Sequence, residues 1–351
     1  MKETLLNSYS GKTVLVTGNT GFKGSWLTVL LEHCGAHVIG LGLDPLPDSL
    51  YCLGDFKPRF NEIRSDITNR GTLENELSKI NFDLVIHLAA QPLVSKAYSD
   101  PLSTFEVNTL GLANLVYLAS LNANCKGVIV VTTDKVYEPS KSVHGHLETD
   151  KLGGIDPYSA SKSAAEMLLT GIRNARSNTD CKLVSVRAGN VIGGGDLATD
   201  RLLPDLVKSF KNHKDMVIRN PDFIRPWIHV LDALYGYVLV GERILNEIKI
   251  DKAYNFGPTP GDIKTVREVA ILSKEYWGEV KEIIYEPSQM IEDDYLALDS
   301  RRARRELSWS NLLNSTQAIE VTINWWKEFL KGEEPRKLVE RDIRNYLFSD
   351  I

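Results

Sequence analysis

From Thr13 onward the chain alternates short β-branched runs with longer amphipathic stretches, and this alternation constrains the fold more than any other feature. TVLVTG is followed by SWLTVLLEHCG and HVIGLGL, then by DLVIHLAA, a long stretch from Pro101 to Asn124, and GVIVVTTD. The pattern predicts a parallel sheet with crossover helices on both faces. Runs such as VIVV lack polar alternation, as strands covered on both sides do. A helix starting near Pro157 and a strand in CKLVSVRAGNV continue the series. After Gly193 it loosens into shorter units rich in Arg, Pro and aromatics, such as VIRNPDFIRPWIHV and AYNFGPTPGD. The expected fold is α/β: a Rossmann-like doubly wound sheet over 1–190, then a smaller α/β substrate-binding lobe over 191–351 with some chain crossing back. A last amphipathic helix is expected near Thr316 to Leu330, and the charged tail after it is expected to pack loosely or cap a subunit.

With 351 residues, 43% hydrophobic and 25% charged, the chain can bury a large core. A net charge of -5 offers no field for nucleic acid, and the run Arg301, Arg302, Arg304, Arg305 reads as a solvated helix face. Cys34, Cys52, Cys125 and Cys181 show no CxxC spacing and read as reduced structural thiols. No metal site is expected. MKETLLNSYS lacks a signal-peptide apolar region and no segment has the length to span a bilayer, so a soluble cytoplasmic protein without membrane partners is expected.

Gly18, Gly21 and Gly24 form GxxGxxG between the first strand and the first crossover helix. That turn lets backbone N–H groups and a helix N-terminus face a pyrophosphate. Asp44, placed at the end of the second strand, can accept from adenosine ribose hydroxyls and disfavour a 2'-phosphate, or simply form a turn before Pro45. Asp66 and Ile67 can flank adenine, or cap a helix through Asp66.

Tyr158 and Lys162 form YxxxK, one helical turn apart on one face. A tyrosine must lose about three pKa units from ~10 to serve as a base near neutrality. A cation at ~4 Å in an effective dielectric of ~20 supplies about that much. The fifth strand ends in Thr132, Thr133, Asp134, Lys135, Val136, Tyr137, at the edge where open α/β sheets bind ligands. Thr133 can hold the reacting hydroxyl, while Asp134 and Lys135 add an acid and a base that simple redox chemistry does not need.

These residues resemble the extended short-chain dehydrogenase/reductases and, within them, the branch that dehydrates CDP-linked sugars. The resemblance spans nearly the whole chain in VTGNTGFKGSWL, HLAAQPLV, TTDKVY, DPYSASK, RAGNVIGGGD, IRNPDFIRPWIHVLD and YNFGP. It implies NAD as cofactor, with Thr20, Phe22, Lys23, Leu88, Ala89, Ala90, Asn108, Tyr158 and Lys162 around it. It implies a nucleotide-sugar substrate, a CDP-hexose first, contacted by Gln91, Asn190, Arg201, Arg219, Arg225 and Tyr295, with a structural arginine paired to a buried carboxylate as the competing reading of Arg219, and a homodimer or homotetramer paired near Leu110 and Ala164.

By the same resemblance, Thr133, Tyr158 and Lys162 run oxidation at C4, Asn108 supports a proton relay, and Asp134 protonates the departing C6 oxygen. Lys135, or a water it orients, is expected to remove the C5 proton; the alternative is that Lys135 holds the enolate oxygen or a water. The chain departs from the pattern at Ser95–Lys96, at Leu197, and in the EDD before Tyr295. A nucleotide-sugar 4-epimerase and a non-catalytic NAD-sensing protein are the alternatives; the first needs no Asp134–Lys135 pair, and the second needs no intact Thr133, Tyr158 and Lys162.

Overall fold

The structure, a computed structural model, describes residues 2–140, 144–175, 181–278, 281–286 and 293–348. Six strands follow the sequence pattern: β1 Thr13–Thr17, β2 His37–Gly42, β3 Asn61–Arg64, β4 Leu84–His87, β5 Gly127–Val131 and β6 Lys182–Ala188. The chain then forms β7 Asn190–Ile192, β8 Met216–Arg219, β9 Ile224–Arg225, β10 Trp227–His229, β11 Ala253–Phe256, β12 Lys264–Thr265 and β13 Ile283–Glu286. The main sheet is parallel throughout, in the order β3-β2-β1-β4-β5-β6-β11. Every residue of β4 and β5 is buried, which fits their unbroken apolar runs.

The strand order reverses between β1 and β4, so the loops leaving those strands part to open a crevice at the carboxyl edge. Thr17 Oγ1 lies 2.7 Å from His87 Nδ1 and accepts from Ala89 N at 3.2 Å, tying the two loops together at their roots. Beyond β6 the chain builds the other wall from the pairs β7–β10, β8–β13 and β9–β12. It also returns: helix Val230–Leu245 packs against the first crossover helix, and β11 extends the main sheet beside β6.

Several local features correct or add to the sequence reading. β2 stops at Gly42, so Asp44 lies in the loop beyond it. The stretch Pro101–Asn124 contains helices Pro101–Phe105 and Leu112–Ala119 separated by a π-helical segment, Glu106–Gly111, a rare geometry that recurs at functional sites. The charged tail is neither loose nor peripheral. It forms helix Pro335–Phe348 and buries Leu338, Val339, Ile343, Tyr346 and Leu347, while Arg336 Nη2 pairs with Glu32 at 2.9 Å. The arginine run is only half solvated: Arg302 turns inward to Asp251 (3.2 Å) and Glu148 (3.6 Å), and Arg304 donates to the Pro258 carbonyl. Among the described residues no helix is long and apolar enough to cross a membrane.

Candidate active site

The glycine loop is shaped partly by its own packing. Gly18 has φ +71°, and a Cβ there would meet Ala89 N at 2.8 Å. A Cβ on Gly24 would lie 2.1 Å from the Gly18 carbonyl oxygen. Gly21 differs, because its nearest neighbour would be the Gly18 oxygen at 3.4 Å, an ordinary contact. The protein itself leaves room for a side chain at Gly21; what calls for glycine is a partner approaching the N-cap of helix Phe22–His33 from outside. A dinucleotide pyrophosphate meets that requirement, so the loop fits NAD.

The crevice is a cleft of about 390 Å³ whose lining includes Phe22, Lys23, Leu88, Ala90, Thr133, Asp134, Lys135, Tyr158 and Lys162. Residues Asp134–Val136 leave β5 as a single 3-10 turn capped by Thr133, which carries Asp134 and Lys135 to the cleft. Helix Pro157–Ala175 brings in Tyr158 and Lys162. Thr133 lies beside Tyr158 and donates to Asp134 Oδ1 at 2.9 Å. The second oxygen, Asp134 Oδ2, is buried without a hydrogen-bond partner among the described residues. Burial pushes the Asp134 carboxyl up, toward its protonated form, against the opposing pull of Thr133, Lys135 and Arg225.

The cations of this layer are weakened as well. Burial lowers Lys162 to about 8, partly countered by Glu166, and its Nζ donates to the Val131 carbonyl at 3.3 Å. Burial, with Arg201 and Lys162 close by, lowers Lys23 to about 7. Tyr158 departs from the sequence argument. Burial raises it to about 12, and the cation acting against burial is Arg201 rather than Lys162. In the free chain desolvation therefore outweighs the neighbouring charge, and the tyrosine keeps its proton.

Beneath this layer lies a network that sequence reasoning missed. Glu166 receives Arg187 through two 2.8 Å bonds and also accepts from Thr132 (2.7 Å) and Ser185 (2.8 Å). Arg187 continues to Tyr137 Oη at 2.8 Å, and Tyr137 donates to Asn255 Oδ1 at 2.7 Å while stacking on His146. The one sequence signal was the acid four residues beyond Lys162.

The far wall holds Asn190, Arg201, Arg219 and Arg225, all lining the cleft. Arg201 Nη1 donates to Asp196 Oδ2 at 2.9 Å, and Ala198 N holds the other Asp196 oxygen at 3.2 Å. Arg225, in β9, is buried beside the Phe223 ring, whereas Arg219 is half exposed, 3.6 Å from Asp200. Tyr295 lies outside the cleft lining; its segment is strapped to β9 by Ile224 N to Asp294 O and Leu296 N to Ile224 O. Of the EDD before it, Glu292 lies outside the described residues.

Further predicted site residues take the following places. Gln91 is buried, with its amide spent on Leu93 and Thr104, so it shapes the loop after β4 and is not presented to a sugar. Asn108, in the π-helical segment, clamps both backbone groups of Gln91 and donates to Ser161 Oγ at 2.9 Å; it braces the Tyr158 helix against that loop. Asp44 is 93% exposed but lies 3.6 Å from Arg64, so charge near it is mixed and a 2'-phosphate is not simply repelled. Asp66 Oδ1 caps its own turn through Thr68, and Ile67 is buried against the π-helical segment at Gly111. Thr20 donates to the Leu43 carbonyl at 3.4 Å, at the loop's outer edge. Among the described residues no cluster of His, Cys, Asp or Glu could hold a metal ion.

A strand-loop-helix cradle that fits a dinucleotide, with Thr, Tyr and Lys converging on one cleft, defines a class. The profile of the NAD dependent epimerase/dehydratase family matches residues 14–257, and the chain belongs to that family. It is 38% identical over 350 residues to a CDP-glucose 4,6-dehydratase from Salmonella typhimurium, covering 97% of this chain and 98% of the relative. Among solved structures, an epimerase from Methanothermobacter thermautotrophicus superposes with a TM-score of 0.80 at 23% identity, covering 96% of this chain and 98% of that one. UDP-glucose 4-epimerase from Bifidobacterium longum, solved with NAD+ and UDP, gives a TM-score of 0.79 at 22% identity over 92% of this chain and 100% of that one.

Proposed function

We propose that the chain is an NAD-dependent hydro-lyase that converts a CDP-linked hexose, CDP-glucose first, into its 4-keto-6-deoxy derivative and water. One observation carries this reading beyond redox chemistry alone: Asp134, a buried carboxyl pushed toward its protonated form, is hydrogen-bonded to Thr133 beside Tyr158. An epimerase has no use for that proton.

When bound, NAD supplies the redox chemistry, accepting the C4 hydrogen with its electron pair and returning it to C6, so none is consumed. The glycine loop, Lys23 and Lys162 would hold it. Thr133 then holds the C4 hydroxyl while Tyr158 Oη takes its proton, once cationic neighbours have offset the burial that keeps the free tyrosine protonated. The resulting ketone acidifies the C5 proton, which Lys135 removes or whose enolate it holds, and a proton is returned to C5 when the hydrogen returns to C6. Asp134 delivers its proton to the C6 oxygen, which leaves as water. Arg201, Arg225 and Asn190 would hold the diphosphate, with guanidinium planes suited to phosphate oxygens.

The same reading extends to assembly. Leu102 (82% exposed) lies on helix Pro101–Phe105, Leu110 (54%) in the π-helical segment and Met167 (60%) on the Tyr158 helix, and a second copy would cover them. Incubation with CDP-, dTDP-, GDP- and UDP-glucose, followed by proton NMR, tests the activity. The expected product shows a 6-methyl doublet, from CDP-glucose first. A C4-inverted sugar that keeps its 6-hydroxymethyl group would overturn the dehydration.

A further inference from the structure

Three side chains meet at the mouth of the cleft from separate parts of the chain. Ser95, in the short helix Val94–Ser99 that follows β4, donates through Oγ to Asp200 Oδ2 at 2.8 Å. The other oxygen, Asp200 Oδ1, lies 3.6 Å from Arg219 Nη2 at the end of β8. All three residues line the cleft, and the Asp200 and Arg219 side chains are about half exposed. Asp200 has φ +60°, the left-handed region that a non-glycine residue enters at a cost, and such strain collects at ligand clamps and switches.

The neighbouring pair behaves differently. Asp196 is 6% exposed, its two oxygens are fixed by Arg201 and Ala198, and it stays with Arg201. Asp200 meets Arg219 with a single long contact in solvent, a geometry worth little and easily exchanged. A phosphate offers Arg219 more negative charge and more acceptor oxygens than this carboxylate does.

We infer that Asp200 is a latch: tethered to Ser95 on one side of the cleft mouth, it occupies Arg219 on the other until the diphosphate of an incoming nucleotide displaces it. The latch rests on the nucleotide-sugar reading above. It makes Asp200 a positioning residue for substrate capture, acting through Arg219.

The test is binding of CDP to the whole chain, by calorimetry or by the fluorescence of Trp227, which lines the cleft. Asp200→Asn keeps the shape and an acceptor for Ser95 but removes the charge; Asp200→Gly removes the tether too. Both residues accept a left-handed backbone, so neither variant adds strain. Each should bind CDP roughly three- to tenfold more tightly at low ionic strength, with a smaller gain at high salt. The gain should vanish when Arg219→Ala is added, and KM should fall for the single variants. Equal or weaker CDP binding by Asp200→Asn, or a gain that survives loss of Arg219, would overturn the latch. A wild-type chain that binds no nucleoside diphosphate would instead remove the reading beneath it.

Discussion

Two buried polar layers lie within one helical turn of each other, and they are built on opposite terms. In the lower layer Glu166 takes four hydrogen bonds from Arg187, Thr132 and Ser185, which hold it below the usual carboxylate range although burial pushes the other way. In the upper layer one Asp134 oxygen has no hydrogen-bond partner among the described residues, Tyr158 is raised to about 12, and Lys23 and Lys162 are lowered to about 7 and about 8. Burial is comparable in both, so desolvation alone does not separate them; hydrogen-bond satisfaction does. A satisfied network fixes a geometry, whereas an unsatisfied one holds proton and charge states that a ligand can complete.

The largest effects should come from the upper layer, and they should differ in what they leave behind. Tyr158→Phe and Asp134→Asn should each lower turnover about 10²- to 10⁴-fold, the range for losing a positioned acid or base. In single-turnover absorbance, Tyr158→Phe should show no NADH band, because oxidation never begins. Asp134→Asn should build NADH and a 4-keto sugar that cannot shed its C6 oxygen. Lys135→Met divides the remaining step: NADH accumulation places Lys135 in elimination, and elimination at the normal rate removes it. If Asp134→Asn turned over normally, the contrast between the layers would lose its chemical meaning.

The lower layer should fail by unfolding. Glu166→Gln leaves Arg187 charged and buried, and breaking such a pair costs about 3–5 kcal/mol. Denaturant titration should show that loss as a lower midpoint with an unchanged slope. The residual folded enzyme should retain the NADH kinetics of wild type at low temperature. A variant that stays stable but stalls with NADH bound would move Glu166 into the reactive set.

What the sequence made legible was local. The glycine loop, Thr133–Asp134–Lys135 and Tyr158–Lys162 are each contained in seven residues or fewer, and periodicity placed them on the right strand ends and helix. The support for them is not local. Arg187 lies 21 positions from Glu166 and Asp200 lies 105 from Ser95, and nothing in either neighbourhood signals its partner. The tail misled because charge dominates its composition, while its buried face rests on the spacing of Leu338, Val339, Ile343 and Tyr346. The Tyr158 argument misled for a different reason. It set one cation against the solution pKa and left out the burial that the fold imposes.

The smallest expected effect is also the sharpest probe of the contrast, because it needs no mutation. Lys23 sits at about 7 in the free chain, lowered by burial and by Arg201 and Lys162. Anion binding at the glycine loop stabilises the charged ammonium, so its pKa must rise when NAD binds. Between about 7 and that higher value the free lysine is largely neutral and the bound one charged, and binding takes up a fraction of a proton. Below 7 both forms are charged and the uptake disappears; as pH rises above 7 affinity for NAD should fall, by at most tenfold per unit. Calorimetry of NAD binding at pH 8 in two buffers of different ionisation enthalpy measures the uptake directly. Lys23→Met should abolish it. Equal apparent enthalpies in the two buffers for the wild-type chain would mean that this lysine is as settled as the Glu166 network below it.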